Sequence, residues 1–307
     1  MITAPNARRP STGSSYAREN SDRGATCSAM NALHDHYRHT KLIATVGPAT
    51  ETEIRLADLI EAGVDVMRLN MAHASESWVD DVVPRIRNVS TRIGRHVAVM
   101  MDVKGPEIRT GHLERPIELA TGERLELHTD PANLSAGDEH RLLVNYAGLP
   151  TDLSVGATIL VDSGLIRLRV LDKSQTRVVC EVLTPGQLGS RRHINLPGVH
   201  VNLPALTSKD ESDLRSGVRA GIDFVALSFV RQAEDIRSLR RLLDQLGSSA
   251  RIIAKIEDQA GVRNMDNIVR EADAVMVARG DLGIEIDYHK LPLVQTELVR
   301  RCHAEGK

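Results

Sequence analysis

The chain has 307 residues, 41% of them hydrophobic and 26% charged, with a net charge of -2. That is enough apolar material for one large folded body or two smaller ones, without the charge bias that nucleic acid or an anionic membrane surface calls for. Aromatic residues make up only 2%, so the core has to be assembled from Val, Ile, Leu and Ala. Cys27, Cys180 and Cys302 are few, odd in number and far apart, which argues against a disulfide framework and for a reducing compartment. No apolar run approaches the ~18 residues of a membrane span. Residues 1–25 lack the apolar segment of a secretory signal. A cytoplasmic protein with no membrane and no nucleic-acid partner is expected.

Residues 1–38 are rich in Ser, Asn, Arg and Ala and show no period, so they read as a disordered N-terminal tail. His34, Asp35 and His36 lie in it, with His39 directly after it, and the cluster reads as solvated. A first strand is expected over residues 41–46, ending in Gly47-Pro48. Thr50 and Glu53 have capping-box spacing, Ile54, Ala57 and Ile60 follow at helical spacing, and Gly63 stops the helix. The second strand, 64–69, delivers Arg68 and Asn70. Ser75 or Ser77 caps a helix running to about residue 92, and a third strand, 96–101, ends at Asp102. Strand–helix alternation of this kind implies a parallel sheet with right-handed crossovers.

The texture changes over residues 106–199. Short alternating runs at 117–120, 124–128, 157–161, 165–170 and 177–183 are divided by turn signals and show no helical period. They read as a small inserted all-β barrel, with Ser190-Arg191-Arg192 placing basic residues near its exit. Helical pattern returns after Pro204. Ser208 and Glu211 have capping-box spacing, and Gly221 closes that helix. Strands follow at 224–229, 252–256 and 274–278, and a last amphipathic helix spans 291–305. The expected fold is therefore α/β: a (β/α)8 TIM-type barrel, incomplete at six of eight units, with a β-barrel lid inserted. The barrel part takes residues 39–105 and 200–307, and the lid takes 106–199. Two apolar edge strands would be left uncovered.

Polar residues gather at the carboxyl ends of the expected strands: Arg68 and Asn70, Asp102 and Lys104, Ser228 and Arg231, Lys255 and Glu257, and Asp281. Each has a plain structural reading, such as a rim ion pair for Arg68, a loop cap for Asp102 or a Lys255–Glu257 pair. Together they mark the rim on which barrel sites are built. Glu257 and Asp281 supply two hard oxygen ligands suited to Mg2+ or Mn2+. Arg68, Arg109 and Lys255 supply fixed positive charge that stabilises a transferring phosphoryl group or an enolate. Gly280 and Gly283 let backbone amides approach an anion. Asn70 and Asp102 offer the start of a monovalent-cation site. There is no Walker A lysine loop.

The segments KLIATVGPAT, GVDVMRLNMAHA, MDVKGPEIRTG, INLPGVHVNLPALTSKDESDL, GIDFVALSFVR, IIAKIEDQAGV and AVMVARGDLGIEI resemble the pyruvate kinase family over residues 41–307. The resemblance implies phosphoryl transfer from phosphoenolpyruvate to ADP, giving pyruvate and ATP as the final step of glycolysis, with Mg2+ or Mn2+ and usually K+. It implies that Glu257 and Asp281 bind the divalent metal and that Lys255 stabilises the transferring phosphoryl group and the enolate oxygen. The Gly280–Asp281 backbone would receive the substrate carboxylate, and Arg68 would contact phosphate. His73, Arg109 and Arg191 would face the nucleotide. Asn70, Asp102 and the Val103 carbonyl would ligate K+, with Glu107 at the acidic position associated with K+-dependent members. A homo-oligomer is implied for the full-length protein.

Departures from the family pattern carry expectations of their own. Ala72 stands where the family has a serine hydroxyl, so K+ binding should be weakened. Val103 replaces a threonine, Ser163 the second acid of a DDG pattern on the lid, and Asp258 an asparagine; Ala260 also deviates. The chain is expected to stop before the seventh strand, whose end carries the threonine linked to enolate protonation. Two other readings compete: a non-catalytic remnant that binds metal and nucleotide, and a different Mg2+–enolate barrel lyase. The lid and the GPEIRTG segment disfavour the lyase.

Overall fold

Strands buried on both faces of a parallel sheet carry continuous apolar runs, and six such runs line up here. A computed structural model describes residues 39–133 and 140–307; the tail with His34, Asp35 and His36 lies outside them. By internal contacts the chain divides into Met1–Lys41 and Leu42–Lys307, and the second unit is the folded body described below. Its first strands are β1 (Ile43–Val46), β2 (Val66–Asn70) and β3 (Ala98–Val103). Eight insert strands follow: β4 (Ile117–Leu119), β5 (Arg124–His128), β6 (Arg141–Leu143), β7 (Thr158–Val161), β8 (Ile166–Lys173), β9 (Arg177–Val182), β10 (Gly186–Leu188) and β11 (Ile194–Asn195). Strands β12 (Phe224–Leu227), β13 (Arg251–Ile256) and β14 (Ala274–Val277) complete the set.

The main sheet has the order β1-β2-β3-β12-β13-β14, parallel throughout. It is an open, incomplete barrel wall, with β1 and β14 at its edges among the described residues. Interior strands β12 and β13 are almost wholly buried, whereas every residue of β14 is half-buried. The insert carries a second six-stranded sheet, β11-β7-β8-β9-β5-β6, and a β10-β4 ribbon. Both wrap a separate core built around Leu125, Leu127, Ile159, Leu168 and Val182. No helix among the described residues is long and apolar enough to cross a membrane.

Strand parity decides what each face presents, because successive side chains point to opposite sides. Met67, Leu69, Val99, Met101, Val225, Leu227, Ile252 and Ala254 share the face that packs against helices α1 (Glu53–Glu61), α2 (Glu76–Ile93), α4 (Ser208–Ala220) and α5 (Ala233–Gln245). The short α3 (Leu149–Asp152) belongs to the insert. The other face holds a small apolar layer of Val66, Met100, Phe224, Ala226, Ile253, Ala274 and Met276. Two residues further along these strands the same parity brings up Arg68, Asp102, Ser228 and Lys255, so polar groups sit directly above an apolar plug. The register pairs Asn70 with Asp102 and Asp102 with Ala226.

Several local expectations shift. The capping box of α4 is Thr207 with Asp210, one residue ahead of the Ser208–Glu211 pair. Asp210 is fully buried and also accepts from the Gly105 amide at 3.2 Å, which fixes the box in place. The cap of α1 is Thr52; Thr50 instead closes a turn, its hydroxyl accepting from Gly47 N at 3.0 Å. Strands β2 and β3 begin two residues later than their apolar runs suggest, since Val64 and Val97 are buried in the preceding turns. The segment after β13 forms two helices, α6 (Gln259–Arg263) and α7 (Met265–Glu271), broken at Asn264. Asp281 lies in a short helix, α8 (Arg279–Glu285), which starts directly after β14 and precedes α9 (Leu291–Ala304).

Gly261 in α6 marks a close approach: a methyl there would lie 2.6 Å from the Val230 carbonyl oxygen. That oxygen belongs to backbone and cannot swing away. Gly261→Ala is expected to cost about 1–3 kcal/mol by overpacking, read from urea unfolding; an unchanged midpoint and slope would contradict the close packing of α6 on the β12 loop.

Candidate active site

Lys255 is the hub. Its ammonium contacts Ser228 Oγ at 2.8 Å, Glu257 Oε1 at 2.9 Å and Asp102 Oδ1 at 3.1 Å. The other oxygen of Asp102 accepts from Arg68 Nε and Nη2, each at 2.6 Å. Arg68 Nη1 continues to Thr45 Oγ1 at 2.9 Å. Ser228 Oγ donates to the Val103 carbonyl at 2.8 Å. Glu257 Oε2 accepts from the Phe229 amide at 2.7 Å. Phe229 adopts φ 53°, a left-handed conformation that aims its N–H at the carboxylate. Signs therefore alternate along the rim, Arg68⁺–Asp102⁻–Lys255⁺–Glu257⁻, across the ends of β2, β3 and β13.

Burial makes this alternation necessary, because an unpaired charge there would face a large desolvation cost. Glu257 is 1% exposed and Asp102 2%. Burial works against the charge of Lys255, but Glu257 and Asp102 outweigh it and hold its pKa above the ordinary value. For Glu257 burial wins: its pKa is raised despite Lys255 and the Phe229 amide, and Asp281 adds to the rise. At the lid neck, burial of Glu107 is outweighed by Arg109 and Lys104, which hold its carboxyl below the usual range.

These groups line a cleft with Asn70, Ala72, Lys104, Glu107, His193 and Asp281. Of the residues singled out in the sequence, Arg68, Asn70, Ala72, Asp102, Lys255, Glu257 and Asp281 meet in it. His73 lies in an adjoining hollow, shared through Asn70 and lined by Val46, Pro48 and Trp78. Val103 stands behind the cleft with its carbonyl taken by Ser228. Arg109 is one step out, bonded to Glu107 at 2.7 Å and to the Arg191 carbonyl at 2.8 Å. Arg191 and Gly280 are exposed and do not line the cleft.

The family model described as pyruvate kinase, barrel domain, matches residues 37–307. The chain belongs to the pyruvate kinase family. It is 43% identical to the pyruvate kinase of Bacillus licheniformis over 274 residues and 44% identical to that of Geobacillus stearothermophilus over 274 residues. It is 40% identical to that of Staphylococcus aureus (strain MRSA252) over 273 residues. These matches take in 88% of this chain and 46% of each relative, so the chain spans about half the length of the curated pyruvate kinases it matches.

Within this family setting the donor set can be weighed against its ions. Asp281 forms neither hydrogen bond nor ion pair among the described residues, yet it faces the same cleft as Glu257. Two carboxylates facing one cleft, one of them unpaired, fit a divalent cation. The potassium donors fit less well. Both Asp102 oxygens are engaged by Lys255 and Arg68, Asn70 Oδ1 accepts from Ala72 N at 3.2 Å, and Ala72 has no oxygen on its side chain.

Three contributors escaped the sequence reading. Phe229 acts through its backbone, and only the left-handed φ reveals it. Trp78, the one Trp of the chain, lines the hollow beside His73 and donates through Nε1 to Glu51 at 2.5 Å. His193 looks like one more member of a basic run but lines the cleft. On its far side lies a second cavity between insert and barrel, lined by Asn195, Leu196, Arg231, Asp258, Ala260 and Glu285 among others.

Glu285, 7% exposed, faces that second cavity. Burial pushes its carboxyl from 4.5 up to about 7, against a hydrogen bond with Asn195 and with the charge of Asp258 adding to the rise. Between these two values the native state keeps a proton that the unfolded chain has released. Stability should therefore fall as pH rises through the window, by roughly 3 kcal/mol in all. Glu285→Gln should remove that slope and be more stable than the parent at pH 8. Unfolding curves from pH 4 to 8 test this, and a difference between the two proteins that does not vary with pH would contradict it.

Proposed function

We propose that the protein to which this chain belongs transfers the phosphoryl group of phosphoenolpyruvate to ADP, giving pyruvate and ATP. The observation that carries the reading is the pairing of two unlike halves in one cleft. One half is cationic, Arg68 with the buried, charge-held Lys255. The other is anionic, Glu257 with the unpaired Asp281. The membership of the family and the names of its relatives support the same reading.

In this reading Arg68 and Lys255 hold the phosphoryl oxygens and fix the group for in-line attack by the terminal oxygen of ADP. The bond from phosphorus to the enol oxygen breaks as the bond to the ADP oxygen forms, and the enolate then takes a proton to become pyruvate. Lys255 can serve both ends of this event: its ammonium is kept protonated by Asp102 and Glu257, and it meets negative charge on the phosphoryl group and then on the enolate oxygen. Glu257 and Asp281 would hold Mg2+ or Mn2+, which supplies Lewis-acid charge to the same oxygens. Ser228 and the Phe229 amide keep Lys255 and Glu257 in register. The hollow of Pro48, His73 and Trp78 offers an apolar seat for the nucleotide base next to Asn70. The substrate carboxylate falls to the Gly280–Asp281 backbone, which lies open at the start of α8. The insert meets the cleft at its neck, through Glu107 and His193, and would limit access of water from that side.

Lys255→Met should abolish transfer in an assay coupled to lactate dehydrogenase, a loss of at least 10³ in kcat; unchanged kcat would contradict the role. The same assay on the 307-residue chain tests whether this span is sufficient, and binding of phosphoenolpyruvate without turnover would favour the binding-only reading. Activation by K+ should be weak, because Ala72 brings no hydroxyl and Asp102 is neutralised by two cations. Ala72→Ser should strengthen that activation, and an identical K+ response in both proteins would count against a potassium site at Asn70, Asp102 and Val103.

A further inference from the structure

The lid neck is a pair of crossing strands. Ile194 N donates to the Ile108 carbonyl at 2.8 Å, Thr110 N to the Arg192 carbonyl at 2.9 Å, and Arg109 faces His193 across an antiparallel bridge. His193 thus belongs to the return strand of the insert, but its ring stands on the wall between the charged cleft and the cavity beneath the lid. The ring packs on Phe229, with centroids 5.8 Å apart and planes tilted by 47°. Phe229 is the residue whose amide holds Glu257.

Neither ring nitrogen of His193 has a hydrogen-bond partner among the described residues, although the side chain is half-buried. Lys104, Glu107, Arg109 and Asp281 surround it at longer range; burial lowers its pKa, with Glu107 and Asp281 opposing and Arg109 and Lys104 assisting. A neutral imidazole has one N–H to give and one lone pair to accept with. Packing on Phe229 alone would be served by an apolar ring at no desolvation cost. With no protein partner among the described residues and a place on the wall of the cleft lined by Arg68, Lys255 and Asp281, the imidazole is positioned to donate to an anionic ligand there.

We propose that His193 is a substrate-contacting residue supplied by the lid, whose imidazole N–H donates a hydrogen bond to an anionic oxygen of the phosphorylated substrate held by Arg68 and Lys255. This rests on the function proposed above and extends it. Lys255 belongs to the barrel and His193 to the insert, so one ligand bonded to both ties the two together, and substrate binding itself becomes what holds the lid down.

Two substitutions separate the hydrogen bond from the packing. His193→Phe keeps a ring against Phe229 and removes the N–H; His193→Gln keeps an N–H donor and removes the ring. Calorimetric titration of phosphoenolpyruvate with Mg2+ into the full chain should show affinity reduced about tenfold in the Phe variant and within about threefold of the parent in the Gln variant. In the unsubstituted chain labelled with 15N-histidine, the ring nitrogen signals of His193 should move on adding phosphoenolpyruvate with Mg2+ and stay in place with Mg2+ alone. Equal affinity of the Phe variant and the parent, or ring signals unmoved while phosphoenolpyruvate binds, overturns the proposal and leaves the functional reading intact. No binding of phosphoenolpyruvate by the unsubstituted chain overturns the proposal for this span, and the functional reading falls with it only when the whole protein to which the chain belongs also fails to bind.

Discussion

The structure depends on an ammonium held between two carboxylates inside a sheet. Lys255 touches Asp102 and Glu257, and each carboxylate is held from its far side, Asp102 by Arg68 and Glu257 by the Phe229 amide. Removing any one member would leave a buried charge uncompensated. The five residues come from the ends of three strands and the turn after a fourth, so the strand register and the charge pattern stand or fall together. What remains outside the pairing is Asp281, and that imbalance is the reason the divalent cation is proposed to bind there.

The rest of the fold serves this arrangement through parity. The polar residues of the rim lie two positions beyond apolar ones on the same face: Arg68 beyond Val66, Asp102 beyond Met100, Ser228 beyond Ala226, Lys255 beyond Ile253. A one-residue slip of β13 would turn Lys255 outward among the helices and bring Ala254 to the rim. The apolar layer beneath the site excludes water from below, which strengthens the interactions above it. The insert approaches from the side at a neck where Lys104, Glu107 and Arg109 are paired with one another.

Much of this was legible in the sequence because parallel strands announce themselves. Short Val- and Ile-rich runs ending in Arg68, Asp102, Lys255 and Glu257 fixed both the strands and the faces, and the α/β barrel wall followed with its insert, which is mostly β but also holds the short α3 that no helical period announced. Strand starts were less legible, because Val64 and Val97 are as apolar as strand residues but fill turns. The capping box of α4 slipped by a residue, since Thr207 and Ser208 have similar cap chemistry and only the buried Asp210 decides between them. The site residues that escaped act through features without a sequence signature. Phe229 contributes an N–H through a left-handed backbone, and His193 contributes a ring that a long insert returns to the cleft.

The central claim is that Glu257 and Asp281 form the cation half of a site whose phosphoryl half is Lys255 and Arg68. Titration of Mn2+ followed by its electron paramagnetic resonance signal tests it most directly. One bound ion per chain is expected, with its spectrum altered when phosphoenolpyruvate is added and the binding weakened at least tenfold in both Asp281→Asn and Glu257→Gln. Binding of Mn2+ that is the same in the parent and in both variants would contradict it.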